Sequence, residues 1–273
     1  MKPELQSIFL KAKENVYTHL SASNLSKVLG QGYDFAELRE YNSSDDIRHI
    51  SWINSAKLGQ PYVKKMYEER GLNVAVATLM DGRFVVGEKQ KLLTEIYAVL
   101  GYSAYKANDS FFALQFFGSE YKSQEPSKEI EGIEKSVEKL YDFEALGTTL
   151  DPSSVAKTIL DKIEVKSLLF IIGDFLDFID LSVLAQKHEV IAIIIRDHQE
   201  ESPKLESEAQ LIDPRNKKAL TQSLSKKAIQ YYKEKLYEHD DKLFQHFNNN
   251  GIRYVKIYRS DEVVEKLEGL FVF

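Results

Sequence analysis

The strongest constraint on the fold is a set of short, almost wholly apolar runs separated by longer amphipathic stretches. Residues 72–80, 166–173 and 189–196 lack the polar–apolar alternation of a half-buried strand. Each is therefore expected to be a strand covered on both faces. Between the runs the apolar period changes to that of a helix. Leu92, Leu93, Ile96, Tyr97, Val99 and Leu100 mark a helix over residues 88–106, and Ile130, Ile133, Val137 and Leu140 mark another over 127–141. Residues 110–117 read as an aromatic-rich strand, and Pro152 opens a helix, where its fixed φ suits the first turn. Further on, residues 209–221 read as a hairpin turning at Asp213-Pro214-Arg215-Asn216. A polar helix over 223–248 is stopped by Asn249-Asn250-Gly251, and a strand (253–258) and a helix (261–270) follow.

Alternating strands and helices of this kind predict an α/β fold, a doubly wound and mostly parallel sheet with helices on both faces. The sheet domain is expected over residues 71–273, behind an N-terminal helical and irregular extension over 1–70. Ligands of such sheets bind outside the carboxyl ends of the strands. That selects Asp81, Thr148-Thr149 and Asp174. The chain has 273 residues, which suits one such core with an appendage, and it contains no cysteine, which removes disulfide and thiol chemistry. The net charge of −6 lies in the part after Arg70, so a nucleic-acid partner is not expected. No apolar run approaches the roughly 20 residues of a membrane span. Met1-Lys2-Pro3-Glu4-Leu5-Gln6 lacks the layout of a signal peptide, and the expected location is the cytoplasm.

The segment before the first apolar run is of another kind. Asp45-Asp46-Ile47-Arg48-His49-Ile50-Ser51-Trp52 mixes charges of both signs with the chain's single Trp. Together with Gly30-Gln31-Gly32-Tyr33-Asp34-Phe35-Ala36-Glu37-Leu38-Arg39-Glu40-Tyr41, Ser55-Ala56-Lys57 and Tyr62-Val63-Lys64-Lys65-Met66-Tyr67-Glu68-Glu69-Arg70 it resembles one bacterial family, "domain of unknown function 58". The resemblance implies a von Willebrand factor A-like domain and, as partner, a MoxR-type AAA+ ATPase. Arg39 and Arg48 are expected to pair with Asp45 and Asp46, with Trp52 and Ile50 anchoring the segment on the sheet domain. Arg39, Tyr41, Asp45, Asp46, Arg48 and Trp52 are thus read as a brace or a docking surface.

The resemblance also implies a site for Mg²⁺, built in such domains from Asp-x-Ser-x-Ser with a distant Thr and a distant Asp. Asp81, Thr148 and Asp174 match the first Asp, the Thr and the last Asp. Arg83 and Val85 stand where the two serines belong. Val85 offers no oxygen, and a guanidinium repels a divalent cation. The site is therefore read as degenerate and empty, with no cofactor, and Arg83 is expected to neutralise Asp81 and Asp174. An aspartyl phosphatase wants an acid where Arg83 stands. A metal-dependent hydrolase on the Asp81/Asp174 rim, drawing on Asp177 and Asp180, is the alternative function. The six scattered histidines form no ligand spacing. The expected function is a non-catalytic protein-interaction adaptor acting with the ATPase and other proteins.

Overall fold

In a computed structural model of the chain, residues 2–19, 35–42, 45, 47, 50–66, 72–203, 211–220 and 225–270 are described. The apolar runs form the inner strands of a six-stranded sheet: β3 (Asn73–Met80), β4 (Ser110–Phe117), β5 (Glu120–Ser127), β6 (Leu168–Gly173), β7 (Glu189–Ile195) and β10 (Arg253–Ile257). Their spatial order is β10-β7-β6-β3-β4-β5. All pairs are parallel except β4–β5. The chain leaves β3 towards β4 and later returns to the other side of β3 through β6. The order thus reverses between β3 and β6, and the crevice at their carboxyl ends is the topological switch point. Asp81 and Asp174 follow those two strands directly.

Alternate residues of each inner strand enter different cores, which explains why these strands are apolar throughout. On one face Val74, Val76, Phe170, Ile172, Ile191 and Ile193 pack under α1 (Pro3–Glu14), α3 (Lys89–Lys106), α4 (Ile130–Asp142) and α9 (Val263–Gly269). On the other, Ala75, Ala77, Leu169, Ile171, Ala192 and Ile194 pack under α5 (Pro152–Lys162), α6 (Ser182–Lys187) and α8 (Lys226–Asn249). Gly101 of α3 lets α4 approach, since an added Cβ would lie 2.5 Å from Ile133 Cγ2. This is the expected doubly wound, mostly parallel α/β architecture with helices on both faces.

Two features depart from the sequence reading. Residues 120–127, where the sequence reading places no element before its helix at 127, form the antiparallel edge strand β5 on the outer side of β4, and the helix starts at Ile130. The mostly exposed sequence of β5, Glu-Tyr-Lys-Ser-Gln-Glu-Pro-Ser, hides the strand from any search for apolar runs. The extension is also not merely helical and irregular: β1 (Phe35–Glu40) and β2 (Tyr62–Met66) pair antiparallel around α2 (Trp52–Leu58).

At the opposite end of the sheet, Asp109 receives the Leu72 amide on Oδ1 at 2.8 Å, while Oδ2 is buried without a hydrogen-bond partner among the described residues. Burial pushes this carboxyl from the ordinary 3.8 up to about 7, against the opposing pull of the Leu72 bond and Lys128. An acid whose folded pKa is raised contributes stability that is complete below its unfolded pKa and is lost as pH rises through the folded one. Asp109→Asn keeps an acceptor for Leu72 and should flatten the fall in Tm between about pH 4 and about pH 7, measured by thermal unfolding across that range.

Candidate functional site

The switch-point crevice is filled by one guanidinium. After β3 the backbone turns through a short 3₁₀ segment, Gly82–Val85, and Asp81 caps it by accepting the Arg83 amide at 3.0 Å. The same turn brings the Arg83 side chain back over the strand ends. Its Nε lies 3.1 Å from Asp81 Oδ1 and 3.2 Å from Asp174 Oδ2. Its Nη2 lies 3.0 Å from Asp81 Oδ2, an ion pair outside hydrogen-bond geometry, and 3.0 Å from Asp177 Oδ2. The Asp81 side chain is 1% exposed and that of Arg83 12%. Burial opposes the charge on Arg83, but Asp174, Asp81 and Asp177 together outweigh it and raise its pKa further.

Asp174 is the hub of a larger cluster. Lys89, 1% exposed in the first turn of α3, reaches Asp174 Oδ2 at 3.5 Å and both Glu200 oxygens at 2.9 Å. Burial pushes the Glu200 carboxyl up, with Lys89 pulling the other way. Arg196, directly after β7, donates from Nε to the Asp174 carbonyl at 2.6 Å and from Nη2 to Asp240 Oδ1 at 2.9 Å. Lys256 closes the set by bonding Asp240 at 2.8 Å and Glu201 at 2.9 Å. Phe175, next to Asp174, sits at φ 48, a left-handed conformation that is uncommon for a bulky residue. Arg196 and His239 bind its carbonyl and hold that turn.

A hairpin covers the crevice. β8 (Leu211–Ile212) and β9 (Ala219–Leu220) bring the turn Asp213-Pro214-Arg215-Asn216 against the loops that follow β3 and α4. The Gly147 amide donates to the Pro214 carbonyl at 2.7 Å, and Thr149 Oγ1 to the Arg215 carbonyl at 3.4 Å. Arg215 Nη1 lies 3.6 Å from Asp177 Oδ2. Gly82 is required here, because an added Cβ would run into the Pro214 carbonyl.

The structure thus brings Asp81, Arg83 and Asp174 together. Thr148 stands beside them, but its hydroxyl donates to the Ala145 carbonyl at 2.7 Å and its own carbonyl accepts the Gly82 amide. Val85 is half exposed and carries no donor oxygen. A guanidinium thus stands among the three aspartates, the threonine hydroxyl is committed to a backbone carbonyl, and Val85 brings no oxygen. Among the described residues no group of three or more His, Asp and Glu is placed to hold a metal.

In the extension, Arg39 and Asp45 form the expected pair, at 2.9 and 2.6 Å, and Asp45 also accepts the Asn42 amide at 2.8 Å. The Arg39 bond holds the Asp45 carboxyl below its usual range. Tyr41 donates its amide to the Pro61 carbonyl. Asp46 and Arg48, with Gly30 to Asp34 and Tyr67 to Arg70, lie outside the described residues. Trp52 corrects its expectation: it is 69% exposed at the start of α2, a helix with no buried residue, so its indole is not buried against the sheet domain. Ile50, half buried, makes a bridge to Val63 within the same unit. Sequence reasoning missed Lys89, Arg196, Glu200 and Asp240, and named Asp177 only for the hydrolase alternative, not as a partner of Arg83. One trace was present: α3 begins with a lysine and has no acid in its first turn, against the preference set by the helix dipole.

These features define a doubly wound α/β domain whose switch-point acids are bridged by an arginine. The family described as "Protein of unknown function DUF58" matches residues 37–242, and the chain belongs to that family. Two solved structures are similar in fold. A conserved hypothetical protein BatB from Bacteroides thetaiotaomicron is 10% identical, with a TM-score of 0.46 over 73% of this chain and 97% of that one. An aerotolerance-related membrane protein from Bacteroides fragilis NCTC 9343, carrying multiple mutations to serines, is 9% identical, with a TM-score of 0.47 over 74% and 98%. No curated protein matches. Among the described residues no helix is long and apolar enough to cross a membrane.

Removing one partner from a buried ion cluster leaves uncompensated charge and costs about 3–5 kcal/mol, whereas an exposed pair is worth about 0–1 kcal/mol. Arg83→Ala should therefore lower the unfolding free energy in urea by about 3–5 kcal/mol. Lys2→Ala, which removes the exposed 2.7 Å pair with Asp142, should change it by less than about 1 kcal/mol. Arg83→Lys keeps the charge but not the fork, and should fall between the two.

Proposed function

We propose that this chain is a non-catalytic interaction module that docks partner proteins through the rim of the switch-point crevice, without a divalent ion, and that its partner is a MoxR-type AAA+ ATPase. The observation that carries the reading is the position of Arg83, within 3.0–3.2 Å of Asp81, Asp174 and Asp177. In metal-using von Willebrand A-like domains the ion supplies the charge at this point and keeps a position open for a partner's oxygen. A guanidinium supplies charge and directional hydrogen bonds, but it neither offers a coordination position nor activates water. Asp81, Asp174 and Asp177 all face it, which leaves the rim poorly equipped for proton transfer. The rim remains at the place where sheets of this type bind ligands. The ATPase is implied by the family to which the chain belongs. The brace formed by β1, α2 and β2 supports the reading as a second contact surface, because it exposes Ile47, Trp52, Ile53 and Leu58.

Calorimetric titration with Mg²⁺ and Mn²⁺ tests the ion-independent rim. The natural chain should give no saturable heat at millimolar metal, and Arg83→Ser with Val85→Ser should gain binding. Metal binding by the natural chain that disappears in Asp81→Ala would sink the reading and restore metal-dependent hydrolysis. An immobilised chain should capture a purified MoxR-type ATPase equally well in EDTA and in Mg²⁺. No capture in either buffer would remove the ATPase as partner.

A further inference from the structure

We infer that the hairpin over the rim is an intramolecular ligand, and that the partner segment the rim accepts is a turn or loop presenting an arginine or lysine to Asp177. The inference rests on the rim being the docking surface and assigns the chemistry of what docks there.

The first argument is charge. Among the described residues Asp81, Asp174, Asp177, Glu200 and Asp213 face Arg83, Lys89, Arg196 and Arg215, five carboxylates against four cations. If the hairpin lifts away, Asp213 and Arg215 leave together. Among the described residues Asp81, Asp174, Asp177 and Glu200 then face Arg83, Lys89 and Arg196. Both states carry more carboxylates than cations. An adhesion site that holds a divalent ion attracts a carboxylate, whereas a rim with an acidic excess repels one and attracts a cation. Replacing the ion by Arg83 has inverted the sign of the preferred partner group.

The second argument is the contact already made in cis. Pro214 and Arg215 offer their carbonyls to the Gly147 amide and the Thr149 hydroxyl, and the Arg215 guanidinium points to Asp177. Two backbone acceptors and one basic side chain make up a short recognition motif of the kind a peptide partner supplies. The Asp177 carboxylate is half exposed and Arg215 approaches it only to 3.6 Å, looser than the 3.0 Å of Arg83. That contact can be exchanged for a better one. Only a backbone without a Cβ at position 82 leaves room for Pro214, so closure is built into the turn after β3. A partner in trans competes with a tethered group at high effective concentration, which weakens its apparent affinity until the hairpin is displaced.

The test uses the chain's own motif as probe: an acetylated and amidated peptide of the sequence from Ile212 to Ala219. Two proteins with an opened rim are compared with the natural one. In the first, residues 212–219 are replaced by a Gly-Ser linker. In the second, Gly82→Ala pushes Pro214 off without altering the rim charge. The peptide should bind both at least tenfold more tightly than it binds the natural chain. A peptide with Glu at the position of Arg215 should bind at least tenfold more weakly, and added salt should weaken the natural peptide. Absence of peptide binding by an opened protein that unfolds cooperatively would overturn the inference, as would equal binding of the Glu peptide. Hydrogen exchange on the full-length chain decides independently of those variants. Arg215→Glu should speed exchange of the Gly147 amide, bonded to Pro214, and leave the Gly82 amide, bonded to Thr148, unchanged; equal rates at Gly147 would also overturn it. None of these measurements involves an ATPase, so loss of that partner leaves their outcome intact, and their failure leaves the rim free to dock a partner by other means.

Discussion

The arrangement of Arg83 among Asp81, Asp174 and Asp177 governs the rest of the carboxyl-end surface. Two parallel neighbouring strands, β3 and β6, each end in an aspartate that the sheet buries, and two buried carboxylates side by side repel each other strongly in a low dielectric. Some cation must stand between them. The chain supplies one from two residues beyond the first aspartate, in a turn that the same aspartate caps. Lys89 and Arg196 bring further cations to Asp174 from α3 and from the end of β7. The helix on one face, the loop after β6 and the long α8 on the other face are thereby tied through Asp174 and Arg196.

Much of this was legible in the sequence and some of it was not, for definite reasons. The inner strands could be read because burial on both faces leaves only apolar side chains, as in 168–173 and 189–195. β5 could not, because an edge strand exposed to water carries the composition of a loop, and its identity depends on β4, already placed. The facing of Asp81, Arg83 and Asp174 could be anticipated, since each follows directly from a strand end. Lys89, Arg196 and Asp240 come from distant parts of the chain and meet only through the topology; no local pattern distinguishes a buried lysine from a solvated one. Trp52 misleads for the opposite reason: a large apolar residue is a good sign of burial on average and a poor one within a seven-residue helix that buries none of its residues.

The structure also separates two uses of ion pairs in one molecule. In the extension, the Arg39–Asp45 pair fixes the geometry of a turn near the surface, where its value lies in position rather than energy. At the crevice, the charges are buried and mutually dependent, so the cluster tolerates no single removal. The hairpin contacts belong to neither kind. They are few, partly exposed and made largely by backbone groups, which makes the hairpin the one covering of the crevice that can leave without breaking the cluster beneath it.

The position of Trp52 has a practical consequence for anyone observing this protein by light. Its indole is already largely in water in the native state, so melting of the sheet uncovers little more of it and its emission is a poor reporter of that event. The tyrosines buried in α3 and the amide signal of the strands must report on unfolding instead. Conversely, any blue shift of the indole marks an event on α2 alone, a built-in reporter for whatever comes to rest on that helix.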